Sequence, residues 1–355
     1  MNPSPTHDTP IELIQACFAA QAERALALRT SSASERIGKL KLLQAALLKR
    51  QSELHQAFAS DFGKPAAEVD LTELLPVVDE IHAATRHLRS WMRPRRVMPG
   101  LTTLGTSARV TYQGKGRCLI IGPWNYPVAT LISPLVSAIA AGNTVILKPS
   151  EFTPAVNAVL GTVIAEVFDA AEVTMVTGAT ATAQALLDCP FDHIFFTGSS
   201  TVGKLVMSAA ARHLASVTLE LGGKSPVIVD ESADLAQAAE LIMWGKLVNA
   251  GQSCIAPDTL FVHRSVRDEL LHRCKVIVAA RYGKSDAAIA SSPDLTRMIH
   301  ERHAARVAAL IDDAVGLGAK LLLGGGHNVR ERFIAPTLLT DVPPELRAGA
   351  AGHRF

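Results

Sequence analysis

The chain has 355 residues, 48% of them hydrophobic and 19% charged, with 35 Lys and Arg against 33 Asp and Glu. This length can hold two domains and a large core, and a net charge of +2 gives no electrostatic argument for a nucleic-acid or anionic-membrane partner. No apolar run approaches the roughly 18 residues that a membrane span needs, and no secretory signal precedes the first helix. Five scattered cysteines without C-x-x-C spacing argue against a disulfide framework or a zinc site, so we predict a cytoplasmic protein without a metal.

Helical periodicity dominates the first hundred residues. No order is predicted for residues 1–10, and apolar residues recur at intervals of three and four over 11–29, 32–54 and 66–91, which predicts three helices. Prolines and glycines between residues 94 and 105 end this section, and its arginines are typical of a solvated turn. Alternation over residues 108–112 then predicts a short strand in a projecting hairpin.

Strand–turn–helix units follow. Short apolar runs at 118–121, 144–147, 173–176, 193–196 and 217–221 predict five strands, with helices between them. Such alternation is typical of a parallel sheet covered on both faces, whose ligands bind at the carboxyl ends of the strands. A second α/β segment begins at residue 226, with a helix leading to residue 254 and further helices over 266–280 and 295–317.

Cys254 is the first candidate for chemistry. It lies where the predicted helix breaks at Gly251 and just before a strand that starts after Pro257. An unpaired cysteine is more often a small buried hydrophobe than a nucleophile, so the residue alone leaves both alternatives open.

Other polar groups at strand ends are equally ambiguous one by one. Gly198 precedes a helix start whose free amides could face a pyrophosphate, but its G-x4-G spacing is also that of a plain turn. Lys148 and Glu151 could bind two ribose hydroxyls, although an exposed charged loop is the simpler explanation.

Two further residues suggest an acid–base centre. Glu220 lies within an apolar strand, where burial would raise the pKa of its carboxyl toward that of a useful base. A structural salt bridge to Lys224 is the alternative. Asn125 could donate to a developing oxyanion, although asparagine is common in proline-flanked turns.

Five short motifs occur in one order: Pro-Trp-Asn-Tyr-Pro, Leu-Lys-Pro-Ser-Glu, Phe-Thr-Gly-Ser-x-x-Val-Gly, Glu-Leu-Gly-Gly-Lys-Ser-Pro and Gly-Gln-x-Cys. As a set they resemble the NAD(P)-dependent aldehyde dehydrogenase superfamily, from about residue 30 to residue 341. The residues around Cys254 are most similar to the branch of fatty, aromatic and coniferyl aldehyde dehydrogenases.

The resemblance implies an α/β fold with a Rossmann-type parallel-sheet domain and a second α/β catalytic domain. Residues 1–95 and 115–222 would form the dinucleotide-binding domain, 96–114 a projecting hairpin of the oligomerisation region, and 223–355 an incomplete catalytic domain. A homodimer is the family expectation.

The resemblance also assigns roles. Cys254 would attack the aldehyde to form a thiohemiacetal, Asn125 and the Cys254 backbone N–H would hold the oxyanion, and Glu220 would activate water against a thioester. NAD is the expected cofactor, because Glu151 favours ribose hydroxyls, with NADP as the alternative. The implied cofactor-binding residues are Trp124, Lys148, Glu151, Gly178, Gly198, Ser199, Gly203 and Leu221. The substrate would be an aliphatic or aromatic aldehyde that the sequence does not name.

The last residues depart from the family. A Glu-Ile-Phe-Gly-Pro motif is expected soon after residue 341, but an Ala/Gly/Arg-rich run over 347–355 stands there, as a shifted reading frame, a fragment or a short form would give. A catalytically impaired remnant that binds cofactor weakly is therefore the main alternative to an active dehydrogenase. A cysteine hydrolase without cofactor is a third.

Overall fold

The computed structural model describes residues 8–343 and begins with a helical section. Its helices are α1 (Ile11–Leu28), α2 (Ala33–Lys49), α3 (Gln51–Phe62), α4 (Ala66–Val69) and α5 (Leu75–Trp91), with a π-helical turn (Asp70–Leu74) between the last two. The helix predicted over 32–54 is thus two helices that meet at Arg50. Order also starts earlier than predicted, because the backbone N–H of Thr9 donates to the Thr177 carbonyl at 3.2 Å.

An antiparallel hairpin follows the helices. Strand β1 (Arg95–Val97) pairs with β2 (Ala108–Val110), and both strands are exposed. The strand predicted near residue 108 is confirmed, but Arg95 and Arg96 lie in a strand and not in the predicted turn.

Five parallel strands form the main sheet. The strands are β3 (Arg117–Ile121), β4 (Thr144–Lys148), β5 (Val173–Met175), β6 (His193–Gly198) and β7 (Ser216–Leu221), in the order β5-β4-β3-β6-β7. The intervening helices are α6 (Ala129–Ala141), α7 (Pro154–Val167), α8 (Thr180–Leu187) and α9 (Ser200–Ala211). All five predicted strands are confirmed.

The sheet separates two apolar cores. Cys118 and Ile120 of β3 pack into the core shared with α2, α3, α5, α6 and α7. Leu119 and Ile121 face the other core, which is shared with α1, α8 and α9. This alternation follows from the two-residue period of a strand, and burial on both faces explains why β3 and β4 are continuous apolar runs.

Strand order sets the position of a binding crevice. From the central strand β3 the chain moves outward through β4 and β5, then returns to β6 and β7 on the other side of β3. Such a reversal opens a crevice at the carboxyl ends of the strands, where ligands of doubly wound sheets bind. The loops after β3 and β6 border this crevice.

The C-terminal half builds a third core around smaller sheets. Its elements are β8 (Ser225–Val229), α10 (Leu235–Leu247), β9 (Pro257–Val262), α11 (Arg267–Tyr282), α12 (Asp286–Ser291), α13 (Glu301–Gly316), β10 (Lys320–Leu323), β11 (His327–Asn328), β12 (Phe333–Ile334) and β13 (Leu338–Thr340). β8 and β9 pair in parallel, whereas β10–β13 and β11–β12 are antiparallel pairs. The helix predicted over 295–317 begins only at Glu301.

Two expectations are not settled by the fold. The run at 347–355 lies outside the described residues, and the domain boundaries at 95, 115 and 222 stay predictions. Within residues 8–343, no helix is long and apolar enough to cross a membrane.

Candidate active site

Cys254 follows a left-handed turn. Helix α10 ends at Leu247, earlier than the predicted break, and the φ angles of Asn249, Ala250 and Gly251 are 56°, 53° and 77°. Left-handed backbone is unfavourable for residues with a Cβ, so surrounding contacts must hold this turn. The Cys254 thiol emerges from it half-buried and unpaired.

Asn249 is the centre of those contacts and is fully buried. Its backbone N–H donates to Glu68 Oε2 at 2.8 Å. Its side-chain Nδ2 donates to the Asn125 carbonyl at 2.9 Å and to the Gln252 carbonyl at 3.2 Å. One side chain thus ties the turn to the loop after β3.

Asn125 lies beside the same turn. The residue is 8% exposed, and its Nδ2 donates to the Gln252 carbonyl at 3.0 Å. The second N–H of this amide has no protein partner among the described residues, so it can donate to a ligand next to the Cys254 loop.

Gln252 completes the support of the loop. Its Nε2 donates to the carbonyls of Asn249 and Arg297, both at 3.1 Å, and its Oε1 accepts from the Ile299 N–H at 3.0 Å. Gly223, after β7, lies so close that a Cβ there would be 2.4 Å from the Cys254 carbonyl oxygen. The Cys254 loop is therefore packed against β7 as well.

Glu220 differs from its prediction. The side chain is exposed and not buried, because β7 is an edge strand whose residues are mostly half-exposed. The burial expected from the sequence is therefore absent. The alternative salt bridge is also wrong, since Lys224 pairs with Asp258 at 3.3 Å. A role for Glu220 as base stays a prediction.

Lys148 and Glu151 form a polar pair where β4 ends. Lys148 is only 5% exposed, and its Nζ lies 3.2 Å from Glu151 Oε2. The simpler explanation of an exposed charged loop is thus wrong for Lys148. Its ammonium has three N–H donors, which leaves capacity for a hydroxyl-bearing ligand in the crevice.

The start of α9 faces the same edge of the sheet. Gly198 pairs with Leu221 where β6 and β7 end, and Ser199 caps the helix by accepting from the Val202 N–H at 3.3 Å. A Cβ on Gly203 would be 2.9 Å from Leu221 Cδ2. Glycine therefore lets α9 pack closely on β7, with the first turn of the helix at the crevice.

The environment of Gly178 differs from that of Gly198 and Gly203. Its φ is 149°, and a Cβ there would be 2.0 Å from Thr182 Oγ1 and 2.7 Å from Asp8 Oδ1. Asp8 in turn accepts from the Ala179 N–H at 2.6 Å. The chain's own atoms account for this glycine, and cofactor binding by it stays a prediction.

Trp124 contacts a pair of histidines that the sequence did not indicate. Its ring lies 5.3 Å from that of His303, which lies 4.3 Å from the ring of His300. Burial, together with the nearby His300, Arg306 and Arg302, lowers the pKa of His303 to about 4. The start of α13 thus presents neutral imidazoles to the loop after β3.

The arrangement fits a dinucleotide better than a metal. A buried lysine, a carboxylate and a capped helix start lie along one edge of the parallel sheet, which suits ribose hydroxyls and phosphates. Among residues 8–343, no group of three or more His, Cys, Asp or Glu side chains could hold a metal ion.

Comparison with known proteins agrees with the motif order. Residues 6–350 match the aldehyde dehydrogenase family. A Pseudomonas aeruginosa relative named for coniferyl aldehyde is 39% identical over 340 residues, which are 95% of this chain and 70% of the relative.

Two solved structures have the same fold. The substrate-bound Staphylococcus aureus AldH aligns with a TM-score of 0.87 at 38% identity, over 93% of this chain and 71% of that one. The Mycobacterium tuberculosis aldehyde dehydrogenase complexed with NAD+ aligns with a TM-score of 0.84 at 27% identity, over 96% and 71%. With the family match over nearly its whole length, the chain belongs to the aldehyde dehydrogenase family.

Proposed function

We propose that this chain oxidises an aldehyde to the carboxylic acid, with Cys254 as nucleophile and a nicotinamide cofactor as hydride acceptor. The observation that carries the proposal is the hydrogen bond from the Asn125 side chain to the Gln252 carbonyl, 3.0 Å long. It places an amide with a spare N–H beside the loop that presents the half-buried thiol.

The first step is addition of the Cys254 sulfur to the aldehyde carbon. The thiolate is the competent nucleophile, and as the S–C bond forms the carbonyl electron pair moves to oxygen. The second Asn125 N–H and the Cys254 backbone N–H stabilise this oxyanion. The product is a thiohemiacetal on Cys254.

The cofactor would bind at the carboxyl ends of the strands of the main sheet. Lys148 and Glu151 would hold the adenosine ribose, and Ser199 with the N–H groups of α9 would face the phosphates. The bound nicotinamide supplies the hydride acceptor that this oxidation needs. Because Glu151 suits hydroxyls better than a 2′-phosphate, we propose NAD, with NADP as the alternative.

Release of the acid requires water. A thioester on Cys254 is cleaved when water attacks its carbonyl and the sulfur leaves as thiolate. We assign the base to Glu220, whose exposed carboxylate can exchange protons with solvent and whose strand ends beside Gly223 and the Cys254 loop.

The substrate is proposed only as a class, and the cellular location and oligomeric state are proposals as well. The relative named for coniferyl aldehyde supports an aromatic or aliphatic aldehyde as substrate. We further propose a cytoplasmic homodimer, which size measurements in solution test.

The test is NADH formation with hexanal, benzaldehyde and coniferaldehyde. Cys254→Ala should reduce turnover by about 10³-fold or more while leaving NAD+ binding, measured by calorimetry, unchanged. Cys17→Ala is the matched control, because Cys17 lies in α1 and should be dispensable.

Other outcomes would change the proposal. A chain that binds NAD+ but forms no NADH with any aldehyde would support the impaired remnant. Ester cleavage that needs Cys254 but no cofactor would support a hydrolase.

A further inference from the structure

We propose that Glu68 is a positioning residue that holds the Asn249–Gly251 turn in the left-handed conformation from which Cys254 is presented. This inference rests on the proposed function only for its effect on turnover. The hydrogen bond between Glu68 and Asn249 does not depend on that function and can be tested without an aldehyde.

A single carboxylate oxygen makes the key contacts. Glu68 Oε2 accepts from the Asn249 backbone N–H at 2.8 Å and from Thr296 Oγ1 at 3.2 Å. Glu68 belongs to α4, Asn249 follows α10, and Thr296 precedes α13. One atom therefore joins three segments that are distant in sequence.

The turn needs such a contact. Asn249 and Ala250 both have a Cβ and both adopt positive φ, a conformation that persists only where neighbouring groups impose it. A carboxylate that accepts a backbone N–H forms a short, charge-assisted hydrogen bond. The Asn249 N–H would otherwise have to find another acceptor, which favours a different backbone conformation.

The contact also extends to the oxyanion donor. Asn249 Nδ2 and Asn125 Nδ2 both donate to the Gln252 carbonyl, at 3.2 Å and 3.0 Å. A shift of Asn249 would therefore move the acceptor that orients the Asn125 amide. Among the described residues Glu68 forms no hydrogen bond to Cys254 or Asn125, so it acts through Asn249.

The surroundings of Glu68 do not favour a negative charge. Burial, with a smaller effect of Asp294, raises the pKa of Glu68, and the Asn249 N–H, Lys64 and Thr296 only partly offset this rise. The role we assign needs only an acceptor oxygen, so a glutamine amide oxygen at the same place should replace it.

The experiment compares Glu68→Ala, Glu68→Asp and Glu68→Gln with Glu53→Ala, a control at an exposed glutamate of α3. Amide hydrogen exchange is followed by mass spectrometry in a peptide covering residues 248–256 and in one covering β4. Turnover with aldehyde and NAD+ affinity are measured on the same samples.

We expect faster exchange at 248–256, unchanged exchange in β4, and about 10-fold or greater loss of kcat in Glu68→Ala and Glu68→Asp. NAD+ affinity should stay within a factor of three, and Glu68→Gln should approach the wild type in exchange and kcat. If Glu68→Ala does not fold, the aspartate variant alone tests the inference. Aspartate keeps the charge, but its side chain is one methylene shorter and its oxygen lies farther from the Asn249 N–H.

Two results would overturn the inference. One is wild-type exchange at 248–256 in the alanine and aspartate variants. The other is a glutamine variant as impaired as alanine, which would mean that the charge or proton of Glu68 acts and not its acceptor oxygen. If the wild type forms no NADH, the proposed function fails, but the exchange measurements still decide the role of Glu68.

Discussion

His303 illustrates how burial and neighbouring groups together set the state of a titratable side chain. Its ring packs against those of Trp124 and His300, and its pKa is lowered from 6.5 to about 4. Between these values the unfolded chain binds a proton that the folded protein does not. Stability should therefore fall as the pH drops from about 6.5 toward 4, by less than about 3.4 kcal/mol from this residue because the ring is only half-buried.

His303→Gln should flatten that dependence, because glutamine does not titrate. The measurement is the free energy of unfolding in urea at several pH values between 7 and 4.5. His213→Gln, at an exposed site, should keep the wild-type slope. Equal slopes for all three proteins would show that His303 is not buried as the structure has it.

Single residues show both the reach and the limit of sequence analysis. Cys254 and Asn125 were found because each lies in a short motif, and the structure brings them to one place. Glu68 is separated from Asn249 by 181 positions, and nothing local to either residue indicates the contact. Glu220 was misjudged because an apolar strand does not show whether it lies at the centre or the edge of a sheet.

At the scale of elements, a buried ion pair joins the helical section to the sheet. Lys64, between α3 and α4, lies 2.7 Å from Glu73 Oε1, and both side chains are fully buried. Glu73 Oε2 accepts from the N–H groups of Val128 and Ala129 where α6 starts. Removing one partner leaves the other charge buried without its counter-ion.

Lys64→Met should therefore lower the free energy of unfolding by about 3–5 kcal/mol. Lys49→Met is the matched control, since Lys49 pairs with Glu166 at 3.4 Å on the surface and such pairs contribute less than about 1 kcal/mol. Urea unfolding measures both. A Lys64 variant no less stable than the Lys49 variant would contradict the structural role of the pair.

Helices and strands were predicted best where the pattern of apolar residues fits one type of element only. The five strands of the main sheet were found because burial on both faces makes continuous apolar runs. The α2–α3 junction at Arg50 was missed because apolar spacing continues across it. The segment before Glu301 was wrongly predicted to be helical because its apolar residues Leu295, Met298 and Ile299 have helical spacing. In the structure they are buried in an irregular loop.

At the scale of the whole molecule, a few long-range hydrogen bonds attach the C-terminal half to the helical section. Arg332 Nη1 donates to the carbonyls of Asp61 and Ile299, both at 2.9 Å. The Arg297 N–H donates to the Phe62 carbonyl at the same distance. These contacts hold against α3 the loop whose Arg297 carbonyl accepts from Gln252 and whose Ile299 N–H donates to it.

Arg332→Met should weaken this attachment by about 1–3 kcal/mol, because it leaves two partly buried carbonyls without their donor. Calorimetry should show a lower and broader transition, with earlier proteolytic cleavage in the C-terminal half. Arg330→Met, at an exposed position two residues away, should behave as the wild type. Identical transitions in both variants would exclude the proposed attachment.

The contacts around Cys254 also determine when the site can form during synthesis. The main sheet is complete at Leu221, whereas the Asn125–Gln252, Glu68–Asn249 and Asp61–Arg332 bonds span 127, 181 and 271 positions. Contacts of large sequence separation form late, because their loop-closure entropy is lost before they stabilise anything. A nascent chain can thus hold a folded sheet while Cys254, the proposed nucleophile, is still on an unformed turn, and the candidate site forms last.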